Sequence, residues 1–320
     1  MHYDVFNGDA DGIAALIQLR MAEPKQSELI TGVKRDIKLL EQVAQREVVE
    51  SVTVLDISME KNLSPLNALL EQGIEVFYCD HHRTGDAPES SQLTQVINLD
   101  SEVCTSLLIN EHLKGQFAKW AVVGAFGDNL FKPAQDLAES LSLPQDDIEF
   151  LKELGTLINY NGYGSSLDDL YIEPAQLYKQ LLAYPCPLML RDDYSSPYYE
   201  LKVGHFNDYA NVSKLKPIEE NEVSRIYELP NEAWARRISG VFSNDLANEI
   251  PSKAHAVLTM NPAGADYTVS VRAPLENRTG ADEVCIAFPT GGGRKAAAGI
   301  NKLPLSSKNH FIEALNNFYK

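Results

Sequence analysis

Two carboxylates one residue apart, Asp9 and Asp11, stand in the stretch VFNGDADGIAA (Val5–Ala15), between a short apolar run and a segment of helical spacing. Asn-Gly and Asp-Gly are tight-turn dipeptides, and a turn tip is the plain account of the stretch taken alone. The segment after Gly12 is not a second strand, however: Ile13, Leu16, Ile17 and Arg20 recur at the period of a helix. The turn then joins a strand to a helix N-terminus, a place that attracts anions. Two acids there look paradoxical unless a cation sits between them and a phosphate.

Further acids and imidazoles obey the same grammar. Asp56 lies in VLDIS, where an acid among apolar neighbours is costly to bury without a cation or hydrogen-bond partners, although it also suits a helix cap. Asp80, His81 and His82 end the run VFYCDHH. Consecutive side chains of an extended segment point opposite ways, so one histidine is placed to ligate a metal while the other contacts substrate or packs below. Asp128 comes after an apolar segment in AFGDN and by itself is a turn residue. Together Asp9, Asp11, Asp56, His81 and Asp128 form an oxygen-rich set with imidazole, which suits Mn2+ and, less well, Mg2+ or Zn2+. A carboxylate shared by two ions about 3.5–4 Å apart would activate water and neutralise a phosphoryl group together.

The elements that must position these groups alternate. Apolar segments ending in acids (YDVF, LITGVKRD, VTVLDIS, VFYCDHH, QVINLD) are separated by helical stretches such as 37–43 and 63–70, which predicts βαβ units and a mainly parallel sheet. Such sheets bind ligands beyond the carboxyl ends of their strands, where these acids fall. The chain turns helical from Cys104 to Leu190, and RDDYSSPYY (Arg191–Tyr199) shifts toward Tyr, Ser and Pro. The expected organisation is a metal-binding domain over 1–190, a linker over 191–225 and a smaller α/β substrate-binding domain over 226–320. In the last, HAVLTM, YTVSVRAP and EVCIAFP predict strands, GGGRKAAAG a Gly-rich turn into a helix, and KNHFIEALNNFY a closing helix.

With 320 residues, 44% hydrophobic and 23% charged, the composition is that of a globular protein. The N-terminus lacks a secretory pattern and Cys79, Cys104, Cys186 and Cys285 lack metal-ligand spacing, so a reducing cytoplasm and no membrane association are expected. A net charge of −17 disfavours long polyanions, whose binding rests on many Lys/Arg contacts, and favours a short phosphate ligand.

In order, NGDADG, VLDIS, CDHH and AFGDN resemble the motifs of the DHH phosphoesterase superfamily, and TGGGRKAAAG resembles the GGGH-type motif of the DHH-associated domain. The resemblance covers nearly the whole chain. It implies a manganese-dependent phosphoesterase that hydrolyses phosphodiester bonds of short oligonucleotides or dinucleotides with metal-activated water, as a monomer or homodimer. Asp9 would bind one metal, Asp11 the other, and Asp56 would bridge. His81 and Asp128 would complete the second site, His82 (beside Asp80) would face the scissile phosphate, and Arg272 with Gly291, Gly292, Gly293 and Arg294 would hold the substrate. A cleft between the domains would size-select short ligands.

Two positions depart from the family pattern. Val5 stands where many members have a motif-one His, which leaves the first metal to Asp9, Asp56 and the Asn7 amide and predicts weaker binding there. Arg294 replaces the motif's His, offering a bidentate grip on an anionic substrate end. Cyclic-dinucleotide phosphodiesterase and nucleotide bisphosphate phosphatase are alternative activities, and a non-catalytic nucleotide-binding module is a rival of another class. Pyrophosphatase is disfavoured because its second domain lacks the glycine motif.

Overall fold

In the computed structural model, which describes residues 1–320, the apolar segments of the first half become strands separated by helices. In chain order these are β1 (His2–Phe6), α1 (Ala10–Ala22), β2 (Glu28–Ile30), α2 (Leu40–Ala44), β3 (Ser51–Leu55), α3 (Leu63–Glu71), β4 (Glu75–Asp80) and β5 (Leu93–Ile97). The strands pair in parallel in the order β2-β1-β3-β4-β5. Alternate residues serve opposite faces. Phe6, Leu55 and Cys79 join Ile13, Leu16 and Trp120 on one side, while Val5, Val54 and Tyr78 join Leu40 and Leu66 on the other. Burial on both faces is why these strands are continuously apolar.

Helices α4 (Thr105–His112), α5 (Ala118–Gly127), α6 (Phe131–Ser140), α7 (Gln145–Asn161), α8 (Pro174–Leu182) and α9 (Pro197–Val212) come next. Helix α1 is buried from Ala10 to Arg20 and packs against α4 and α5, so its apolar residues surround it rather than form one stripe, and its polar Asp11, Gln18 and Arg20 are hydrogen-bonded. It is capped at its start and tied to β1 near its end. Asp9 caps its start, accepting from the Asp11 and Gly12 amides at 3.0 and 3.1 Å. Near its end Arg20 Nε donates to Asp4 Oδ2 at 2.9 Å, with Ser27 Oγ donating to the same oxygen at 2.6 Å. Gly12 is required at the entry, because a Cβ there would lie 2.3 Å from the Asn7 carbonyl oxygen.

By contacts the chain divides into Met1–His205 and Phe206–Lys320. The segment expected to be a linker, 191–225, instead carries the sixteen-residue helix α9, and the division falls inside it. Pro197 starts that helix, a position where its missing N–H costs nothing, so the Ser-Pro signal marks a helix start and not a flexible connector.

The second unit contains β6 (Glu219–Glu220), β7 (Ser224–Leu229), α10 (Ala233–Glu249), β8 (Ala254–Met260), β9 (Asp266–Arg272), α11 (Ala281–Ile286), β10 (Gly291–Arg294), β11 (Ala297–Pro304) and α12 (Lys308–Tyr319). Its sheet runs β10-β11-β9-β8-β7-β6, antiparallel except for β7–β8. Two local expectations are corrected. EVCIAFP holds the end of α11, because Ala281, Val284 and Cys285 are buried at helical spacing. The glycine run leads into no helix but forms β10, hairpinned with β11 through Lys295-Ala296. No helix is long and apolar enough to cross a membrane, and all four cysteines are free thiols.

Burial opposes ionisation of Asp4, but hydrogen bonds from Arg20 and His2 and the Arg20 charge hold its carboxyl at about 2, against an ordinary 3.8. Its contribution to stability is therefore complete above the ordinary value and lost as pH falls through about 2. Asp4→Ala, which strands a buried guanidinium, is expected to lower the unfolding free energy at neutral pH by about 3–5 kcal/mol in urea denaturation. A loss below about 1 kcal/mol would show that the cluster does not hold α1.

Candidate metal centre

The strand order places the first unit's functional groups along one edge. From β1 the chain moves out to β2 and returns to β3 on the opposite side, so the carboxyl ends of β1 and β3 open a crevice at this change of direction. Asn7 and Asp9 come just after β1, Asp11 lies in the first turn of α1, and Asp56 comes just after β3. Asp80 ends β4 with His81 and His82 directly beyond it, and Asp128 lies directly beyond α5.

These side chains converge. His81 Nε2 lies 3.4 Å from Asp56 Oδ1, 3.9 Å from Asp11 Oδ2 and 3.8 Å from Asp128 Oδ2. Ligand atoms of Asp11, His81 and Asp128 fall within 4.8 Å of one another, as do those of Asp56, His81 and His82. Each group is fixed by a different element. Asp11 accepts from the Thr105 and Ser106 amides at the start of α4, at 2.8 and 2.7 Å. Asp56 accepts from Thr105 Oγ1 at 3.3 Å and adopts φ 57°, the left-handed region that Asp tolerates better than most residues. His82 Nδ1 meets Asp80 Oδ1 at 2.7 Å, and the imidazole is nearly half exposed while Asp80 is fully buried.

The charges do not balance within the protein. Burial, and then the charges of Asp9, Asp11, Asp80 and Asp128, push the Asp56 carboxyl well above its ordinary range. Burial with Asp11 and Asp9 raises Asp128 to about 7, despite Lys34 and His82. Burial also works against an ionised Asp9, but the Lys34 charge outweighs it and holds that carboxyl low. The hydrogen bond that His82 donates to Asp80 raises its imidazole above the usual value. Two buried acceptors, Asn7 Oδ1 and Asp80 Oδ2, have no hydrogen-bond partner. A largely buried set of carboxylates with a half-buried imidazole and excess negative charge fits a divalent cation of the Mn2+ or Mg2+ kind at Asp11, Asp56, His81 and Asp128.

Lys34 is a site residue that the motifs do not mark. It stands in VKRD, where the conspicuous residue is Asp36, the acid ending a strand segment. Asp36 only accepts from the Val33 amide in its own loop, at 3.1 Å, and Asp100 likewise accepts from the Glu102 amide at 2.9 Å. Lys34 instead enters the pocket, 2.6 Å from Asp9 Oδ2. A cation just past a strand in a sheet whose other strand ends are acidic was the available signal.

In the second unit, Ala297 of β11 pairs with Arg294 of β10 on one side and Arg272 of β9 on the other. Paired residues share a sheet face, so the two arginines flank one small residue. Arg272 spends its Nε on Asn244 Oδ1 at 2.7 Å, whereas Arg294 is exposed. Of the three glycines, Gly291 has a packing reason: a Cβ there would meet the Cys285 carbonyl oxygen at 1.8 Å.

No family model and no curated protein matches the chain. Solved structures do. An exonuclease RecJ bound to manganese aligns with TM-score 0.67 at 16% identity, over 99% of this chain and 89% of that one. RecJ from Thermus thermophilus in complex with Mn2+ gives 0.65 at 16%, over 99% and 52%. The pGpG-specific phosphodiesterase PggH from Vibrio cholerae gives 0.61 at 12%, over 100% and 99%. At such identities the likeness is one of fold.

A carboxyl raised in the folded state binds its proton more tightly there, so its stabilising effect is complete below the ordinary 3.8 and disappears as pH rises through about 7 for Asp128. In chelator, the melting temperature is expected to fall as pH rises from the ordinary 3.8 to about 7 and then level from this cause. Asp56→Asn should raise the metal-free melting temperature by about 2–4 °C, the scale of 1 kcal/mol in a chain of this size. Calorimetry in chelator checks both, and an unchanged or lowered value for the variant would show that the acids do not repel.

Proposed function

We propose that this chain, which has the fold of the DHH phosphoesterases, is a divalent-metal-dependent phosphoesterase that cleaves phosphodiester bonds of short oligonucleotides or dinucleotides, with Mn2+ as the preferred ion. The observation that carries the reading is the convergence of buried Asp11 and Asp56 with half-buried His81 and Asp128 at the carboxyl edge of the parallel sheet. A divalent cation there would supply Lewis acidity and an activated water.

The chain's own groups have separable tasks. The α4 amides keep Asp11 aimed. Asp80 holds His82 through Nδ1, leaving Nε2 to donate to a phosphoryl or leaving oxygen, and it keeps that imidazole protonated to higher pH. In the second unit Arg294 is an exposed fork suited to a terminal phosphate, with Arg272 on the same sheet face. The net charge of −17 supports a short substrate over a long polyanion. The fold likeness to RecJ and to a pGpG-specific phosphodiesterase agrees with this substrate class.

The test is a panel with Mn2+: linear dinucleotides, short oligonucleotides, cyclic dinucleotides, a nucleoside bisphosphate and pyrophosphate. Linear dinucleotides are expected to turn over fastest. Zero turnover beside tight nucleotide binding would point to a binding module instead. His82→Ala is expected to lower kcat by about 10²–10⁴-fold with bound manganese unchanged. Arg294→Ala should act mainly on KM, again with metal content intact; wild-type kinetics in that variant would remove Arg294 from the substrate site.

A further inference from the structure

The metal pocket contains a cation of its own. Lys34 Nζ lies 2.6 Å from Asp9 Oδ2, 2.8 Å from Asn159 Oδ1 and 3.8 Å from Asp128 Oδ1, and 5.9 Å from the centre of the Tyr163 ring. Its backbone is held as firmly as its tip. The Lys34 amide donates to the Gly162 carbonyl at 2.9 Å, and its own carbonyl accepts from Asn7 Nδ2 at 3.3 Å. The lysine, in the loop after β2, is thus pinned against the turn that carries Asn7 and Asp9.

We propose that the Lys34 ammonium takes the place of the first of two divalent ions, so that this chain works with a single metal ion and a tethered organic cation. The inference rests on the metal-dependent reading above. Its basis is the set of donors around Asp9. Asp9 Oδ1 already accepts the Asp11 and Gly12 amides, and Oδ2 meets Lys34. The flanking Asn7 is neutral, and Val5 offers no ligand where a histidine is usual in the resembling family. A first ion is left with one carboxylate that already faces an ammonium, an amide oxygen and whatever Asp56 can share. The Asp11, Asp56, His81 and Asp128 set, by contrast, has no lysine closer than the 3.8 Å of Lys34 to Asp128. Charge counting agrees. Asp9, Asp11, Asp56 and Asp128 against one divalent ion and one ammonium leave a single negative charge. Two divalent ions beside the ammonium would leave the cluster positive and crowd three cations around Asp9 and Asp56. An ammonium also gives fixed charge without exchanging with solvent, whereas a second ion would depend on its concentration.

The deciding measurement is the number of Mn2+ bound per chain, by equilibrium dialysis with elemental analysis, together with the electron paramagnetic resonance spectrum. The full-length wild-type chain is expected to saturate at one ion with the hyperfine pattern of isolated Mn2+. Lys34→Met, which keeps the length and removes the charge, should admit a second ion and show exchange coupling between the two. Lys34→Arg should stay at one. Two coupled ions in the wild type would overturn the proposal and leave the phosphoesterase reading standing, and binding of no ion at millimolar Mn2+ would overturn both. A Lys34→Met variant that folds by circular dichroism yet still binds one ion would overturn the role of Lys34. Should that variant not fold, Lys34→Gln takes its place, and wild-type stoichiometry remains decisive.

Discussion

Carboxylates held close together away from water repel one another, and the first unit is arranged around that constraint. Four acids and an imidazole are brought to one edge of a parallel sheet by elements far apart in the chain. Each acid near the turn comes with a partner that lowers the cost: helix-start amides for Asp9 and Asp11, a hydroxyl for Asp56, an ammonium beside Asp9. The compensation is incomplete, as the raised Asp56 and Asp128 show. A site that is left strained by its own scaffold is one whose natural complement is an added cation.

The scaffold supplies stiffness where that repulsion is greatest. Helix α1 is capped at its start by Asp9 and fastened to β1 near its far end through Arg20 and Asp4. Between these points it is enclosed, with no polar face to slide on. The Asn7 turn is closed by Gly12 on one side and by the Lys34 carbonyl on the other. Positions of acids set in this way do not relax apart when the charges are unbalanced, and catalysis by fixed charges depends on that resistance.

Much of this is legible in the residues alone. Strand–helix alternation points to the parallel sheet, and the ordered motifs single out Asp9, Asp11, Asp56, His81 and Asp128, of which the last four converge with Asp9 at their side. The illegible parts have physical reasons. Lys34 lies in a loop after a three-residue strand, where no periodicity points to a direction for the side chain. Around Val284 the apolar run is too short for period to separate strand from helix. GGGR has the composition of a turn because glycine has no strand preference; its pairing with β11 is imposed by the neighbouring strand. The Ser-Pro cluster before α9 has the composition of a linker and the chemistry of a helix start alike.

Asp11 anchors α4 and Asp9 begins α1, so both are architectural posts as much as prospective ligands. Their presence would be demanded of an inert descendant with the same shape. His81 and Asp128 are different: the one stands past a strand, the other past a helix, and each points its ionic contacts at the pocket. His81 and Asp128, which brace no helix start, are therefore the pair by which a metal site would differ from the same scaffold without one.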